Sequence, residues 1–338
     1  MTTISIICPT FNEESHIERT LQSFLNQKRD SFDLEILIVD GMSEDKTRSI
    51  VKEFEQKYLS IRLIDNKETK TPFAFNEGLK NAKGEYVAIL GAHTYYAPNY
   101  LQVCYDELLR TESAGCTGRI ISSNPSDKIG AKYAQWIMEN SFGVSGSSFR
   151  TIKEGYTHSV NFAVFNKSVL LALGGYDTTM HRNQDNDMNQ RICDAGYKLY
   201  CTWKTECHYY TSSSLVKLFK YAKNNGYWNA ISLIHRTRSM RLYHFVPFLF
   251  LLTLLGGFVL GGIEFFFWHK YYILLLTCIT LIIHLLTGAL FTVLSAFKVF
   301  DFRKSALPIL FLIFHLSYGW GTLTGIGDLL INKDHQWK

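Results

Sequence analysis

The stretch ISIICPTFNE, residues 4–13, decides how the first part of the chain folds. Ile4 to Cys8 is a short apolar run of β-forming residues that ends at Pro9, as a buried parallel strand does. Asn12 is predicted to cap a following helix, because apolar side chains then recur on one helical face. A strand, a turn and a helix in this order are typical of the start of an α/β protein.

The same alternation of strand and helix continues after this first unit. Further buried strands are predicted at Glu35–Val39, Ile61–Ile64 and Tyr86–Leu90, with Ser43 capping the helix after the second strand. A spacing of roughly thirty residues between strands is that of right-handed βαβ units. The sequence therefore predicts a mostly parallel sheet, whose ligands would bind outside the carboxyl ends of the strands.

The pattern is looser after residue 115. Val160–Phe165 is a further strand candidate, and Asp185–Ala195 is predicted to be a helix that stops at Gly196. Gly143–Ser148, with the sequence GVSGSS, is expected to be a mobile loop over a site.

Composition divides the chain into a polar first part and an apolar last part. The 338 residues are 47% hydrophobic, and the apolar residues are concentrated after residue 244. A formal net charge of +5 indicates affinity for phosphates or anionic surfaces, and not specifically for nucleic acid.

Seven cysteines without a CxxC pair indicate neither a disulfide framework nor a zinc site. The N-terminus lacks the pattern of a cleaved signal peptide, so the first part, residues 1–210, is expected in the cytoplasm.

Residues 211–244 are predicted to form a basic amphipathic segment at a membrane surface. No Asp or Glu occurs between Cys207 and Ile263. The basic residues of this stretch are Lys217, Lys220, Lys223, Arg236, Arg238 and Arg241. Such a helix suits an anionic leaflet. The alternative is a solvated basic face on a soluble helix.

Three apolar segments follow within residues 245–330. They lie at about 245–263, 271–297 and 306–327, and each is long enough to cross a hydrocarbon core of about 30 Å. Basic residues precede the first segment and, as Lys298, Arg303 and Lys304, separate the second from the third. The positive-inside rule then predicts three transmembrane helices in a cell membrane, a cytoplasmic first domain and an external C-terminal tail.

The apolar segments contain a few small and ionisable residues. His284 and His315 are the ionisable groups of the second and third segments, and each is expected to pack or hydrogen-bond between helices. Glycines recur in the third segment, at Gly319, Gly321, Gly325 and Gly327. Close helix packing is the preferred interpretation of these glycines, ahead of a nucleotide-binding loop.

Three short polar segments are predicted to serve one site. Residues 9–13 (PTFNE) and 40–45 (DGMSED) follow the first two predicted strands, and residues 183–187 (NQDND) open a predicted helix. A carboxylate at a strand end can accept the imide N–H of uracil or a ribose hydroxyl, and a helix N-terminus suits a pyrophosphate. Each segment alone is also explained by capping or turn formation. Asp185 is the best candidate for a general base, which must lie within reach of an acceptor hydroxyl.

The ordered set of motifs resembles a known family. PTFNE, IVDGMSEDKT, FNEGLKNAKGEYVAILGAH, GGYD and NQDNDMNQRICDAGYKL occur in the order found in family 2 inverting glycosyltransferases with a GT-A fold. The nearest resemblance is to exopolysaccharide glycosyltransferases of the succinoglycan-biosynthesis type, which also share the HLSYGWG stretch from His315. The resemblance covers nearly the whole chain and implies an α/β, Rossmann-like GT-A domain followed by membrane helices.

The resemblance also implies roles for individual residues. Asp185 would be the catalytic base, and His93 would bind Mg²⁺ or Mn²⁺. The residues implied at the nucleotide, where Asp40 would hold the base, are Pro9, Thr10, Phe11, Asn12, Glu13, Asp40, Ser43, Lys67 (or Lys70), Asn76, Gly91 and Ala92. The residues implied near the acceptor or the membrane are Gln184, Asp187, Arg191, Tyr227 and Trp228.

One motif departs from the family pattern. Gly91-Ala92-His93 stands where the family has Asp-x-Asp or Asp-Ala-His, and a glycine side chain cannot coordinate a cation. Three interpretations stay open: a cation held by His93, the diphosphate and water; a diphosphate neutralised by Lys or Arg alone; or a loss of activity. Asp185 and Asp187, themselves an Asp-x-Asp pair, are a further candidate cation site.

The expected function is transfer of a sugar, with inversion, from a nucleoside diphosphate sugar to a lipid-linked or membrane-proximal glycan acceptor. A UDP-sugar is the expected donor, and membrane lipid is an expected partner. The alternative is a catalytically impaired protein that binds nucleotide sugars or assists another glycosyltransferase.

A small transporter is less favoured, since three spans are few for a pore. A dehydrogenase is disfavoured because no G-x-G-x-x-G follows the first strand. Nucleic acid is not an expected partner, and self-association is left open.

Overall fold

The computed structural model describes most of the chain, namely residues 2–124, 127–144, 148, 150–180, 182–210, 214–235, 242–296 and 301–331. Several positions used above lie outside the described residues: 145–147 of the expected mobile loop, Arg236, Arg238, Arg241 and Lys298. The chain forms two compact units. The first comprises residues 1–123 and 148–210, and the second comprises residues 124–147 and 211–338.

The elements alternate as the sequence predicts in the first part and are helical in the last. Up to residue 210 they are β1 (Thr2–Thr10), α1 (Ile17–Leu25), β2 (Phe32–Asp40), α2 (Thr47–Lys57), β3 (Ile61–Asp65), α3 (Thr71–Asn81), β4 (Tyr86–Ile89), β5 (Thr94–Tyr96), α4 (Tyr100–Arg110), β6 (Gly115–Ser123), α5 (Ile129–Glu139), β7 (Gly155–Thr157), β8 (Val164–Asn166), α6 (Lys167–Ala172), α7 (Gln184–Asp194) and β9 (Leu199–Tyr210). Beyond it the α-helices are α8 (Leu215–His235), α9 (Val246–Trp268), α10 (Tyr272–Ala296) and α11 (Leu307–Ile331).

The first unit is built on a nine-stranded sheet. Its order is β3-β2-β1-β4-β8-β6-β9-β5, with β7 beside β9. β1 to β4 run parallel, as do β6 and β9, while β8 runs antiparallel to both β4 and β6. The predicted α/β fold with a mostly parallel sheet is confirmed, with the antiparallel strand β8 joining its two parallel parts. The carboxyl ends of β1 to β4 meet at one edge, where a ligand is expected.

β1 shows why the sequence of each strand is a continuous apolar run. Ile4, Ile6 and Cys8 lie in the core layer that contains α1, while Ile7 lies in the layer that contains α3. Both faces of the strand are therefore buried, which removes the alternation expected of a half-exposed strand. On the α3 side, a Cβ at Gly78 would overlap the Ile7 side chain, so glycine sets how closely α3 approaches the sheet.

Two predicted helix caps are wrong. α1 begins at Ile17 and α2 at Thr47, so Asn12 and Ser43 lie too far upstream to cap them. Instead, both side chains bond the two strand-end loops: Asn12 Oδ1 accepts from the Glu44 N–H at 3.0 Å. Ser43 donates from Oγ to the carboxylate at the end of β2 at 2.6 Å. Contacts between loops thus replace the local capping that sequence spacing suggested.

The strand predicted at Val160–Phe165 is shorter than expected. Only Val164–Asn166 pairs, as β8, and it runs antiparallel to β4. Residues just before β8 consequently lie at the carboxyl end of β4, since Ile89 N–H donates to the Ala163 carbonyl at 3.0 Å. This reversal brings a distant segment to the edge where the strand-end loops meet.

In the second unit, three helical stretches are long and apolar enough to cross a membrane. They are Leu242–Trp268, Tyr272–Ser295 and Phe302–Ile331. His284 and His315 are hydrogen-bonded, with 2.9 Å between Nε2 and Nδ1, as predicted. His315 Nε2 lies 2.9 Å from the Phe142 carbonyl and must donate to it, so His315 Nδ1 accepts from His284.

The glycines of α11 pack closely in three of four places. A Cβ at Gly319 would overlap the Pro247 carbonyl, one at Gly321 the Lys223 carbonyl, and one at Gly325 would lie 2.6 Å from the Tyr227 carbonyl. The packing interpretation is confirmed for these glycines. It is wrong for Gly327, where a Cβ would meet nothing within 4 Å.

Candidate active site

The loops after β1 and β2 are bound to each other at the carboxyl edge of the sheet. Asn12 N–H donates to Ser43 Oγ at 2.8 Å, and Glu13 N–H donates to Thr47 Oγ1 at 2.8 Å. These bonds join two segments that the sequence separates by about thirty residues, as the βαβ pattern requires. The PTFNE and DGMSED motifs therefore do form one surface.

Asp40, expected to hold the base, is completely buried at the end of β2. Its carboxylate accepts from Ser43 N–H at 2.9 Å and from Arg48 Nη1 at 2.8 Å. Arg48 also donates to Asp65 Oδ1 at 2.7 Å, so it links the ends of β2 and β3. The bonds to both carboxylates raise the pKa of Arg48 above its ordinary value. A nucleobase bound at this edge would therefore face a connected network of hydrogen bonds and not a single isolated carboxylate.

Arg48 and Asp65 were missed by the sequence analysis. Asp65 is the last residue of β3, as Asp40 is of β2, so its position at a strand end is a signal that the sequence contains. Its side chain is 49% exposed, which leaves it available to a ligand. The sequence gives no comparable indication for Arg48, since an arginine in the first turn of α2 is usually part of a solvent-exposed helix face.

The other residues predicted at the nucleotide differ in their surroundings. Phe11 is 52% exposed beside the strand-end loops, and its ring is free to stack on a base. Thr10 is buried, Pro9 is half-buried, and Lys67 is exposed after β3. Asn76 lies on α3, where it donates to and accepts from the Tyr176 backbone at 2.8 Å each, so its amide positions a turn.

His93 and Glu13 meet at the same edge. His93 Nδ1 lies 3.1 Å from Glu13 Oε1, and both side chains are partly exposed. Within the described residues, no three His, Cys, Asp or Glu side chains cluster in a way that would hold a metal ion. The two side chains fit a cation that draws most of its ligands from a diphosphate and water, since hard cations accept oxygen ligands of either origin. The Ala92 carbonyl beside them accepts from Thr20 Oγ1 at 2.6 Å.

Gly91 faces an aromatic ring. A Cβ at Gly91 would lie 3.0 Å from Phe162 Cε1. Phe162 has a left-handed backbone with φ of 54°, its carbonyl accepts from Tyr100 Oη at 2.7 Å, and its ring stacks on Tyr209 with centroids 5.7 Å apart. The ring thus fills the space into which a first carboxylate of the Asp-x-Asp motif would project.

Asp185 lies in the first turn of α7 and is half-buried. Its Oδ2 accepts from Asn161 Nδ2 at 3.1 Å. Burial raises the pKa of Asp185 to about 6, and the hydrogen bond from Asn161 opposes part of that rise. A carboxylate with a pKa near neutrality is both ionised and basic at physiological pH, as a general base must be.

Two amide oxygens are buried without a protein partner, one on the side chain that bonds Asp185 and one on the residue before Asp185 in the chain. They are Asn161 Oδ1 and Gln184 Oε1, which have no hydrogen bond from any residue that the structure describes. Buried polar oxygens in folded proteins nearly always accept a hydrogen bond. Hydroxyl groups of a bound sugar would satisfy both. Asn161 belongs to no motif, so the sequence analysis had no signal for it.

Asp187 and Arg191 of α7 stabilise the helix and its contact with the neighbouring turn. Asp187 is buried, with its Oδ2 2.7 Å from Arg191 Nη2, and Arg191 Nη1 donates to the Leu173 carbonyl at 2.8 Å. A carboxylate held in this way weighs against Asp185 and Asp187 acting as a cation pair. Tyr227 and Trp228, predicted near the acceptor, belong to the second unit, where Tyr227 Oη donates to Asp328 at 2.9 Å.

Strained backbone is concentrated at this edge. Seven non-glycine residues in the described chain have positive φ, and Glu112 and His269 are the two that lie elsewhere. The remaining five adjoin the strand ends or the start of α7: Asn12, Met42, Thr69, Phe162 and Asn183. Such conformations cluster at ligand-binding sites, where the surrounding structure imposes them.

The fold and the polar residues gathered at this edge define a class of protein, a transferase with a GT-A fold. The chain belongs to glycosyl transferase family 2, whose model matches residues 5–171. This membership identifies the protein as a glycosyltransferase, as the motif order predicted.

Relatives of known activity support the membership. A glycosyltransferase of Methanococcus voltae, dolichyl N-acetyl-alpha-D-glucosaminyl phosphate 3-beta-D-2,3-diacetamido-2,3-dideoxy-beta-D-glucuronosyltransferase, is 31% identical over 335 residues, covering 96% of this chain and 98% of its own length. The succinoglycan biosynthesis protein ExoA of Rhizobium meliloti is 28% identical over 218 residues, covering 63% of this chain and 65% of its own. The resemblance to the succinoglycan-biosynthesis group is thereby confirmed.

Among solved structures, a mannosyltransferase of Pyrobaculum calidifontis in complex with GDP-Man and Mn²⁺ has a similar fold. Its TM-score is 0.55 at 18% identity, with 94% of this chain and 87% of the other covered. The likeness supports the GT-A fold of this chain.

Proposed function

We propose that this glycosyltransferase moves a sugar from a nucleoside diphosphate sugar, a UDP-sugar, to a lipid-linked sugar, with inversion at the anomeric carbon. The observation that carries the proposal is the pair formed by Asp185, with its raised pKa, and Asn161, whose side-chain oxygen is buried without a partner. A basic carboxylate in contact with a side chain that can accept a hydroxyl proton is what a sugar-binding site for a displacement reaction needs.

In this proposal Asp185 removes the proton from the attacking hydroxyl of the acceptor. The hydroxyl oxygen forms a bond to the anomeric carbon while the bond from that carbon to the diphosphate breaks. One displacement inverts the configuration. The hydrogen bond from Asn161 fixes the orientation of the carboxylate during the proton transfer.

The leaving diphosphate would lie near His93 and Glu13. These residues would hold a divalent cation, Mg²⁺ or Mn²⁺, and the cation would neutralise the charge that develops on the diphosphate. His93 is partly exposed and lies against Tyr209 with ring centroids 5.3 Å apart, so its ring is held in place while its edge stays reachable. Lys67, exposed after β3, would add charge at the same edge.

The nucleoside would bind across the ends of β1, β2 and β3. The Phe11 ring is exposed for stacking, and the buried Asp40 carboxylate orients Ser43 and Arg48 towards that edge. Asp65 is the exposed carboxylate of the group and can accept an imide N–H of uracil or a ribose hydroxyl.

A lipid-linked acceptor is supported by two independent observations. The apolar helices α9 to α11 include three stretches able to cross a membrane. The Methanococcus voltae relative, which is covered over 98% of its length, is named for a dolichyl phosphate-linked N-acetylglucosamine acceptor. We propose the same chemical class of acceptor here, with the first unit on the cytoplasmic side of the cell membrane.

A second candidate is a nucleotide-sugar-binding protein without turnover. Gly91 favours it, because the glycine and the Phe162 ring together remove the first carboxylate of the metal motif. The two candidates share nucleotide binding and differ only in transfer.

The test uses the full chain in detergent micelles. UDP and GDP are titrated calorimetrically with and without Mn²⁺, and transfer is then measured from radiolabelled UDP-glucuronic acid and UDP-N-acetylglucosamine to a short polyprenyl phosphate N-acetylglucosamine. UDP binding with transfer that Asp185→Asn abolishes supports the proposal. UDP binding without transfer favours the second candidate, and binding of GDP alone refutes the UDP-sugar assignment.

A further inference from the structure

Helices α8 and α11 lie side by side and run in the same direction. Gly321 of α11 touches Lys223 of α8, and Gly325 of α11 touches Tyr227 of α8, in both cases so closely that a Cβ would collide with the carbonyl. Position 223 thus lies beside position 321, and position 227 beside position 325. Equal steps in the same direction define a parallel pair, held together through glycine backbones.

This register places the lysines of α8 along the middle of α11. Lys217, Lys220 and Lys223 are all exposed and recur at a spacing of three, so they form one cationic row. Gly321, beside Lys223, is about 21 Å from the start of α11 at Leu307 and about 15 Å from its end, at 1.5 Å per residue. If α11 crossed the bilayer, the row would enter the hydrocarbon core and Lys223 would lie near its centre. Charged side chains are costly at that depth.

α9 and α10 form an antiparallel hairpin that can cross the bilayer. Gly257 of α9 lies against Thr277 of α10, and Gly261 of α9 against Leu274. The tip of the hairpin carries exposed aromatic residues, as the boundary between membrane and water does: Phe266, Phe267, Trp268, Tyr271 and Tyr272. A core of about 30 Å takes about 20 residues of helix. Counted from the tip, it ends near position 250 of α9 and position 290 of α10.

α11 contacts the hairpin at that open end and up to about 9 Å inside it, since His315 of α11 is bonded to His284 of α10, six residues before position 290. A Cβ at Gly288 of α10 would lie 3.3 Å from Pro308, and a Cβ at Gly319 would overlap the Pro247 carbonyl of α9. Between Pro308 and Gly319, α11 advances about 16 Å and passes from one helix of the hairpin to the other. It therefore crosses the mouth of the hairpin instead of running alongside it.

The exposed faces of the pair suit the headgroup layer of a membrane. α11 exposes Ile309, Ile313 and Trp320, which fall on one side of the helix, while α8 exposes its lysine row. Apolar side chains on one helix and cations on the other are the two components of interfacial binding to anionic lipid.

We infer that α8 and α11 lie together in the headgroup layer across the open end of the α9–α10 hairpin, and that the lysine row of α8 binds anionic lipid headgroups. Only α9 and α10 cross the bilayer, and the end of α11 stays on the same side as the first unit. This arrangement replaces the three spans and external C-terminal tail expected from hydropathy. It does not depend on which donor or acceptor the enzyme uses.

Sidedness is tested with single cysteines in the full chain. Leu330→Cys, at the exposed end of α11, is compared with Leu59→Cys in the first unit and Lys270→Cys at the hairpin tip, all in a Cys193→Ser, Cys278→Ser background. A membrane-impermeant maleimide is applied to inverted and right-side-out vesicles. Position 330 is expected to react from the side of position 59. Reaction from the side of position 270 overturns the inference.

Depth and lipid charge are tested on α8. Lys223→Cys is expected to react from the side of position 59, and failure to react from either side places position 223 in the core and overturns the inference. In nanodiscs, replacing phosphatidylcholine by phosphatidylglycerol is expected to raise the melting temperature of the native protein and not of a variant with Lys217, Lys220 and Lys223 changed to Gln. The control changes Lys52 and Lys57 to Gln. An equal rise in all three proteins refutes headgroup binding by the row.

Discussion

Replacing Asp185 by Asn should separate catalysis from binding. The change keeps the shape of the side chain and removes its ability to take a proton. General-base catalysis contributes about 10²–10⁴-fold, so turnover should fall by that factor, which corresponds to about 2.7–5.5 kcal/mol of barrier. UDP affinity should stay unchanged, because Asp185 is placed at the acceptor and not at the nucleotide.

The pH dependence should report the same carboxylate. Burial raises the pKa of Asp185 to about 6, so kcat/KM should rise tenfold per pH unit below 6 and level off above it. Asn161→Ala removes a hydrogen bond to the ionised form, which is worth about 1.5–3 kcal/mol. The acidic limb should therefore move up by about one to two pH units.

Asp185→Asn, which lowers activity, should raise the stability of the folded protein above pH 6. A carboxyl whose pKa is 3.8 when unfolded and about 6 when folded destabilises the native state by about 3 kcal/mol above pH 6 and by nothing below pH 3.8. Asp185→Asn should accordingly raise the melting temperature at pH 8 and leave it unchanged at pH 3.5. A variant that loses activity and also melts earlier at pH 8 would refute the reasoning, since the residue would then be structural.

Three further predictions concern other parts of the chain. Gly91→Asp alone should not improve Mn²⁺-dependent UDP binding, because the Phe162 ring is 3.0 Å from the new Cβ; adding Phe162→Ala should strengthen binding about tenfold. Arg48→Met leaves the buried carboxylate at the end of β2 without its ion pair and should cost about 3–5 kcal/mol, measured by thermal melting. Gly321→Ala should destabilise the protein, while Gly327→Ala should stabilise it by up to about 1 kcal/mol through helix propensity.

These measurements carry their own controls. Equal binding by Gly91→Asp with and without the second change would show that the Phe162 ring does not occupy the carboxylate position. Gly327 is the matched control for Gly321, since both lie in α11 and only Gly321 touches another helix. Similar melting temperatures for the two alanine variants would contradict close packing of α8 on α11.

The fold of the first unit was accessible from sequence where local signals and tertiary structure agree. The runs around Ile6 and Ile36 are apolar at every position because both faces of each strand are buried, and the sequence shows that directly. Family membership followed from the order of five motifs. Asp185 was predicted to be the base because a carboxylate at a helix start is a local pattern, and that role stays a prediction.

The features that sequence reasoning missed depend on contacts between distant segments. Asn161 reaches Asp185 only because β8 runs antiparallel to β4, and the residues near Asn161 contain no signal for that reversal. The same reversal places the Phe162 ring opposite Gly91. Asn12 and Ser43 were misread as caps because local spacing cannot show that two loops bond to each other.

The left-handed side chains at the sheet edge have a consequence for engineering this enzyme. Each such conformation costs about 1 kcal/mol or more, and glycine would relieve it. A library selected for heat resistance would therefore accumulate glycine at exposed positions such as Thr69 and Met42 before it altered the core. Those variants would survive heating while losing the fixed loops that we propose hold the donor. Thermal screening alone would thus steer directed evolution of donor specificity away from the useful sequences.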